Sequence, residues 1–255
     1  MNVRPMRCIA PPDARLPTDH TPFLDDIQHL RERHGEKIAA VDMESVTVLG
    51  AIGLYPGRDE GGSFFHLAGL DVTPEAKKSG IDVFLFEEAG RYMREHRAAR
   101  LKFGTSPLLT GNAELYVTRF GTRYRWREGT RTPEGAPWPY VACECDFDDP
   151  LARPLDLRDD EVVARSVLDW KDGRPVPRAH VVYSGPLSVL LPELTGDILS
   201  AAATGDPKLL AVLFEVLHDL HVHGYSFSWF DRLPGEARLP GTPAFFYVMK
   251  RTVVL

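Results

Sequence analysis

Residues 70–90 read LDVTPEAKKSGIDVFLFEEAG. A β-rich run stops at Val72. A polar stretch follows, with Thr73 and Pro74 and then Lys77, Lys78, Ser79 and Gly80. A helical pattern begins at once, at Ile81. The first turn of a helix has amides without intrahelical partners, and its dipole favours negative charge there. Two lysines add positive charge, and Gly80 lets a phosphate come close to the backbone. The join is therefore a candidate anion site. The plainer alternative is an ordinary strand-to-helix turn with solvated lysines.

Outward from this join, the N-terminal side carries β-type runs. Residues 61–76, GGSFFHLAGLDVTPEA, predict a strand that stops at Thr73-Pro74. Before it, KIAAVDMESVTVLGAIGLYPG over 37–57 predicts a hairpin about the polar break Asp42–Ser45. Thr21–Gly35 predicts a helix, with Thr21 as cap, Pro22 at the first helical position and Gly35 at the end. The first twenty residues are rich in proline and read as loop. On the C-terminal side, residues 77–100 predict one long helix. Ile81, Leu85, Ala89, Tyr92, Met93 and His96 recur at helical spacing, and basic residues gather in its last turns. RLKFGT, Arg100–Thr105, is a short strand. A Ser106-Pro107 turn, a helix-like run bearing Asn112, Gly121 and an aromatic strand complete this half.

The second half is less regular. YVACECDFD is strand-like, DDEVVARSVLDW predicts a helix, and RAHVVYSG predicts a strand. The run GDPKLLAVLFEVLHDLHVHG predicts a helix ending at Gly224. YSFSWFDRL and AFFYVMKR predict a closing hairpin around Pro234–Pro243. Each half thus ends in a helix, a glycine and an aromatic strand.

Composition narrows the function. The chain has 255 residues, 44% of them hydrophobic, and a formal charge of -6. Its pI is near 5.9. Non-specific nucleic-acid binding needs clustered positive charge, which this balance argues against. No apolar run approaches the roughly 18 residues of a membrane span, and the N-terminal stretch has no apolar signal core. A cytoplasmic protein is expected. Cys143 and Cys145 alternate along one strand, so both face one side, inward, as reduced thiols. No metal site is expected. His218 and His221 share a helix face, but the helix end at Gly224 explains histidines there through its dipole.

The order of elements, together with the Pro-x-x-basic-x-x-Gly turn, resembles the GNAT superfamily of acyl-CoA-dependent N-acyltransferases. Within it, FFHLAGLDVTPEAKKSGI, SPLLTGNAELYVTRFG and the closing DPKLLAVLFEVLHDLHVHGYSF and YVMKR resemble the predicted acetyltransferases described beside o-succinylbenzoate-synthase-like enzymes. The resemblance implies an α/β (α+β) GNAT fold, with a mixed central sheet flanked by helices and an α/β C-terminal extension. Residues 1–128 would form the core. Residues 129–255 would pack on or complete the sheet, as one continuous unit.

It implies acyl transfer from acetyl-CoA or another acyl-CoA to an amine of a small metabolite. A carrier-protein pantetheine is the alternative donor, and a homodimer is entertained. The strand before the turn would splay from its neighbour and bind the pantetheine arm through Leu70 and Val72. Lys77, Lys78, Ser79, Gly80 and Ile81 would hold the pyrophosphate, and Asn112 the arm. His66, on the same strand, has the right pKa range for a base; its bland alternative is a strand histidine packed among aromatics. Ser106 joins it as a catalytic candidate, in a turn of small polar residues that would leave room for a thioester.

Three departures set this chain apart. The second small residue of the pyrophosphate turn is Asp82. Two unit charges about 4 Å apart repel by roughly 4 kcal/mol at an effective dielectric of 20. Ser106 replaces the aspartate of the narrower group's DPL block. Val117 stands where many GNAT enzymes carry a general-acid tyrosine, and the adjacent Tyr116 points about 100° away on a helix. These departures motivate a rival expectation: a GNAT-fold protein that has left CoA chemistry and binds or converts another small molecule in specialised-metabolite biosynthesis.

Overall fold

A computed structural model describes residues 2–8, 33–128, 139–152, 159–194, 207–233 and 243–251. Most of the helix expected over Thr21–Gly35 lies outside these. The chain divides into two units, residues 1–103 with 146–149, and residues 104–145 with 150–255.

The first unit is built on strands β1 (Val3–Cys8), β2 (Glu36–Asp42), β3 (Thr47–Asp59), β4 (Gly62–Val72) and β5, which begins at Arg100 and ends at Thr105. Their order in the sheet is sequential. The first four pair antiparallel, whereas β5 runs parallel to β4. The sheet is therefore mixed, as expected. β1 corrects the reading of the first twenty residues as loop. Proline lacks an N–H to donate, yet Pro5 pairs opposite Ala40 on a strand at the sheet edge, where proline is tolerated.

The helix starts at Ile81, as the join itself indicates, rather than at Lys77 as the long run over 77–100 suggests, and a separate one-turn helix precedes it. α1 (Pro74–Lys78) is one turn, started by Thr73, whose hydroxyl accepts from the Ala76 amide at 3.2 Å. α2 (Ile81–Glu95) is the crossover to β5. Gly80 separates them at φ 76, a left-handed conformation that interrupts any continuous helix. The 3.6-residue period then puts Leu85, Phe86, Ala89 and Met93 on one stripe with no measurable exposure. On β4, Phe65 sends its ring to Tyr92 and His96 of α2. Alternation turns Phe64 and His66 to the opposite face of the sheet.

The second unit contains the end of β5 and α3 (Thr110–Ala113), which runs into a π-helical turn (Glu114–Arg119). β6 (Arg123–Arg127) pairs antiparallel with β7 (Tyr140–Asp146). α4 (Asp159–Ala164), β8 (Leu168–Lys171), β9 (Arg174–Pro177) and β10 (Leu187–Leu191) follow. Then come α5 (Pro207–Val222), β11 (Tyr225–Arg232) and β12 (Phe245–Arg251). β10, β12 and β11 form an antiparallel sheet, so the closing hairpin is as expected and gains a third strand. Phe230, Phe245, Phe246 and Tyr247 are essentially buried in it. Along β7, Val141, Cys143 and Cys145 are buried on one face, both thiols unbridged, and burial pushes the Cys143 thiol well up.

Two expectations here are corrected. The helix over DDEVVARSVLDW stops at Ala164. Ser166 diverts the chain: its hydroxyl donates to the Leu168 carbonyl at 2.7 Å and lies 3.1 Å from the Leu168 amide. Such local bonds compete with the helical ladder. Leu168–Lys171 then forms a hairpin with β9 through Asp172-Gly173, at φ 50 and 74. RAHVVYSG is a loop, not a strand. The buried strand begins later, at Leu187.

Candidate active site

Strands β4 and β5 are paired over only three positions, Phe64 with Arg100, Phe65 with Leu101 and His66 with Lys102. Past His66, β4 continues for six residues with no registered partner on that side in the first unit. On its other side Leu67 pairs with Leu54 and Gly69 with Gly53, so Ala68 is an extra residue, a bulge that increases local twist. Registered pairing of the two parallel strands thus stops at His66 and Lys102. One edge of Leu67–Val72, including Leu70 and Val72, presents main-chain N–H and C=O groups that an extended ligand can pair with.

This edge leads directly to the anion turn. Lys77 and Lys78 are exposed in the last turn of α1. The Ser79 amide donates to Ala76 O and the Gly80 amide to Lys77 O, each at 3.0 Å. Those two amides are thus spent locally. Within α2, Phe84 N–H donates to Gly80 O. The amides left at the mouth of α2 are those of Ile81, Asp82 and Val83. The Val83 amide donates to the Asp82 carboxylate at 2.9 Å. Asp82 is 8% exposed and occupies the electropositive helix start itself. Beside Gly80, the space where a Cβ would project is open.

His66 sits where the two strands begin to part. It is half-buried, stacked on Tyr55 at 4.6 Å between ring centroids and edge-on to Phe64 at 4.8 Å. Burial, then the cationic Lys102 and Arg33, push its pKa below the usual histidine value, so the ring is neutral at pH 7. Arg33 lies 5.0 Å over the Tyr55 ring. Asp59 holds the neighbouring cations: it accepts from Arg100 at 2.6 Å and from Lys102. These two partners hold the Asp59 carboxyl well below the ordinary carboxylate range. Gly57 leaves room for Phe64, and Gly61 for Arg100. Sequence reasoning found His66 but missed the Asp59, Arg100 and Lys102 set. Their placement depends on strand register, which spacing does not reveal.

In the second unit, the Asn112 carboxamide donates to the Thr105 hydroxyl at 3.1 Å. Ser106 is 4% exposed, and its hydroxyl accepts from the Leu108 amide at 3.3 Å. The segment is anchored from the later strands. Tyr247 donates to Pro107 O at 2.7 Å, Thr118 to Phe230 O at 2.6 Å, and Thr110 exchanges two bonds with Leu194 through its hydroxyl. Val117 and Tyr116 accept from Gly121 and Thr122, closing the π-helical turn. Tyr116 is buried. His218 and His221 lie against Trp126, and His221 faces Glu128 at 3.5 Å. Glu44 is exposed in the β2–β3 turn.

No protein-family model and no curated protein matches the chain. Solved structures do. An IAA acetyltransferase from Bacillus cereus is 17% identical, with a TM-score of 0.41, covering 57% of this chain and 99% of that one. A GNAT family acetyltransferase from Elizabethkingia anophelis, with acetyl-CoA bound, is 18% identical, with a TM-score of 0.41 and coverage of 57% and 97%. A Bacillus subtilis acetyltransferase in complex with CoA is 18% identical, with a TM-score of 0.42 and coverage of 57% and 99%. On its own geometry, the first unit has a mixed sheet, a parallel pair registered over only three positions and a glycine-led crossover helix.

Proposed function

We propose that the protein is an acyltransferase that moves an acyl group from acetyl-CoA or another acyl-CoA to an amine of a small metabolite. The observation that carries this reading is the parallel pair β4–β5, registered over only three positions while β4 runs on to Val72, beside a bulge at Ala68. The edge of Leu67–Val72, with no registered partner among the described residues of the first unit, suits an extended, amide-bearing arm, which it would bind as an added strand. The turn fits a pyrophosphate in part. Lys77 and Lys78 are exposed, Gly80 leaves space, and the Ile81 and Asp82 amides face outward from the helix start. Asp82 works against it. Asn112, expected to hold the arm, lies in the second unit, where its carboxamide donates to the Thr105 hydroxyl. Ser106, whose hydroxyl is bound to Leu108, enters as the residue that shapes the turn.

Bound acyl-CoA supplies an activated thioester. The chain's own part is to position it, to polarise its carbonyl through main-chain N–H groups of β4, and to take a proton from the acceptor amine. His66 is the base: it is held by two aromatic rings, and burial first, then the nearby cations Lys102 and Arg33, keep it neutral. The test is acetyl transfer to a panel of primary amines, followed by thiol release. His66→Ala is expected to lower turnover by about a hundredfold or more. Unchanged turnover removes His66 from the mechanism.

A second reading rests on Asp82 and Val117. A buried carboxylate at the helix start and no tyrosine at position 117 describe a GNAT-like chain that has left CoA chemistry for another small molecule. Absence of CoA binding in wild type and in Asp82→Asn alike favours it.

A further inference from the structure

His66 stands in a column of rings flanked by cations, all of it in the first unit. The Arg33 guanidinium lies 5.0 Å over the Tyr55 ring, and Tyr55 is stacked on the imidazole at 4.6 Å, with 27° between the planes. Phe64 meets the same imidazole edge-on at 4.8 Å, and the Lys102 ammonium lies 4.6 Å from the Phe64 centroid. Strand register builds the column. Tyr55 pairs with His66, and Gly57 with Phe64, across β3 and β4, so the three rings share one face of the sheet. Gly57 leaves that face clear: a Cβ there would lie 2.6 Å from the Phe64 ring.

Among the described residues, no hydrogen bond holds either imidazole nitrogen; the ring contacts set its plane. The charged and titratable groups around it are Tyr55 on β3, Lys102 on β5 and Arg33 before β2, with Asp59 bound to Lys102 and Arg100. Burial comes first in keeping the imidazole neutral, then Lys102 and Arg33. Tyr55 supplies that burial over a whole face of the ring, whereas Phe64 offers only an edge contact.

We propose that Tyr55 is a positioning residue: its ring, pressed between Arg33 and His66, fixes the plane of the imidazole and keeps water off one face of it. The proposal rests on the acyl-transfer reading, in which His66 takes the proton. Small errors in the placement of a proton acceptor cost large factors in rate. Tyr55 pairs with His66, before the Ala68 bulge, whereas the arm and the phosphates are assigned to Leu67–Val72 and the start of α2. Loss of the Tyr55 ring should therefore lower kcat and leave KM for acetyl-CoA in place.

The experiment is NMR titration of the His66 ring in the full chain, assigned by the signal lost in His66→Gln, with kcat and KM measured over the same pH range. In Tyr55→Thr the ring midpoint should move upward, towards the ordinary 6.5, and kcat should fall by about tenfold with KM for acetyl-CoA unchanged. Tyr55→Phe restores an aromatic ring and should bring both back to wild-type values. Urea melts check the fold, and Tyr55→Leu, with the same expected directions, takes the place of the threonine variant where that one is unfolded. A midpoint that stays in place or moves downward without the aromatic ring overturns the proposal. So does a Tyr55→Phe variant as impaired as Tyr55→Thr. A wild-type chain without turnover fails the acyl-transfer reading instead, and the ring titration alone then decides whether Tyr55 holds His66.

Discussion

Asp82→Asn separates stability from ligand affinity, with opposite signs. The carboxylate is 8% exposed and accepts from the Val83 amide at 2.9 Å. Asparagine keeps an acceptor there but removes the charge, which at a helix start stabilises by about 0.3–1 kcal/mol. The variant should therefore lose that amount, a melting-temperature drop of a few degrees at most for a chain of this size. If α2 receives a pyrophosphate, the same charge opposes it. At about 8 Å and an effective dielectric of 20 the repulsion is roughly 2 kcal/mol, and water access at the helix mouth trims it. A net gain of about 1.4 kcal/mol is a tenfold tighter dissociation constant for CoA. Calorimetric titration of CoA into both proteins, with urea melts alongside, reads both quantities. The gain should shrink at high salt. An affinity that is unchanged or weaker, with the fold intact, refutes the reasoning: Asp82 would then not face the ligand's phosphates.

Further outcomes follow from particular residues. The His66 ring has a depressed pKa, so the rate of acyl transfer should rise with pH through a midpoint below 6.5. Lys102→Met removes one of the depressing charges and should shift that midpoint upward. Because His66 is disfavoured as a cation in the folded state, its contribution to stability declines as pH falls from 6.5 towards the folded value. Asp59 is held low by Arg100 and Lys102. The stability it confers is present above its ordinary pKa near 3.8 and lost as pH falls below it. Melts between pH 5 and 3 should show less acid loss in Asp59→Asn. Gly121→Ala should destabilise by about 3 kcal/mol, combining left-handed strain with a backbone clash. Gly121 has φ +59, and an added Cβ would lie 2.6 Å from the Leu151 main chain. A loss under about 1 kcal/mol in urea unfolding would show that the turn relaxes freely.

The parts of the fold that periodicity encodes were legible. α2 announces itself through Leu85, Ala89 and Met93, and α5 and the aromatic hairpin are equally plain. What failed was local side-chain chemistry. Ser166 stops a helix that its apolar spacing advertises, through bonds to Leu168 that no period records. The Asp172-Gly173 pair is a strong hairpin signal, and reading it would have found β8 and β9. β1 was hidden by Pro5, which weakens a strand reading unless the strand is known to be an edge. At the candidate site, Gly80 and Asp82 were legible as a helix start. That the Ser79 and Gly80 amides are already spent was not, because it depends on α1, a one-turn helix capped by Thr73. The grouping of Asp59, Arg100 and Lys102 around Phe64 depends on register between strands more than thirty residues apart, which a single chain does not display.

The central claim is that the first unit holds an acyl-CoA along β4 and at the start of α2. Its most direct test is calorimetric titration of acetyl-CoA into the wild-type chain and into Lys77→Glu. The account predicts saturable binding in the micromolar range, one ligand per chain, weakened by about tenfold on charge reversal. No heat of binding up to millimolar acetyl-CoA, or binding indifferent to the charge at residue 77, contradicts it.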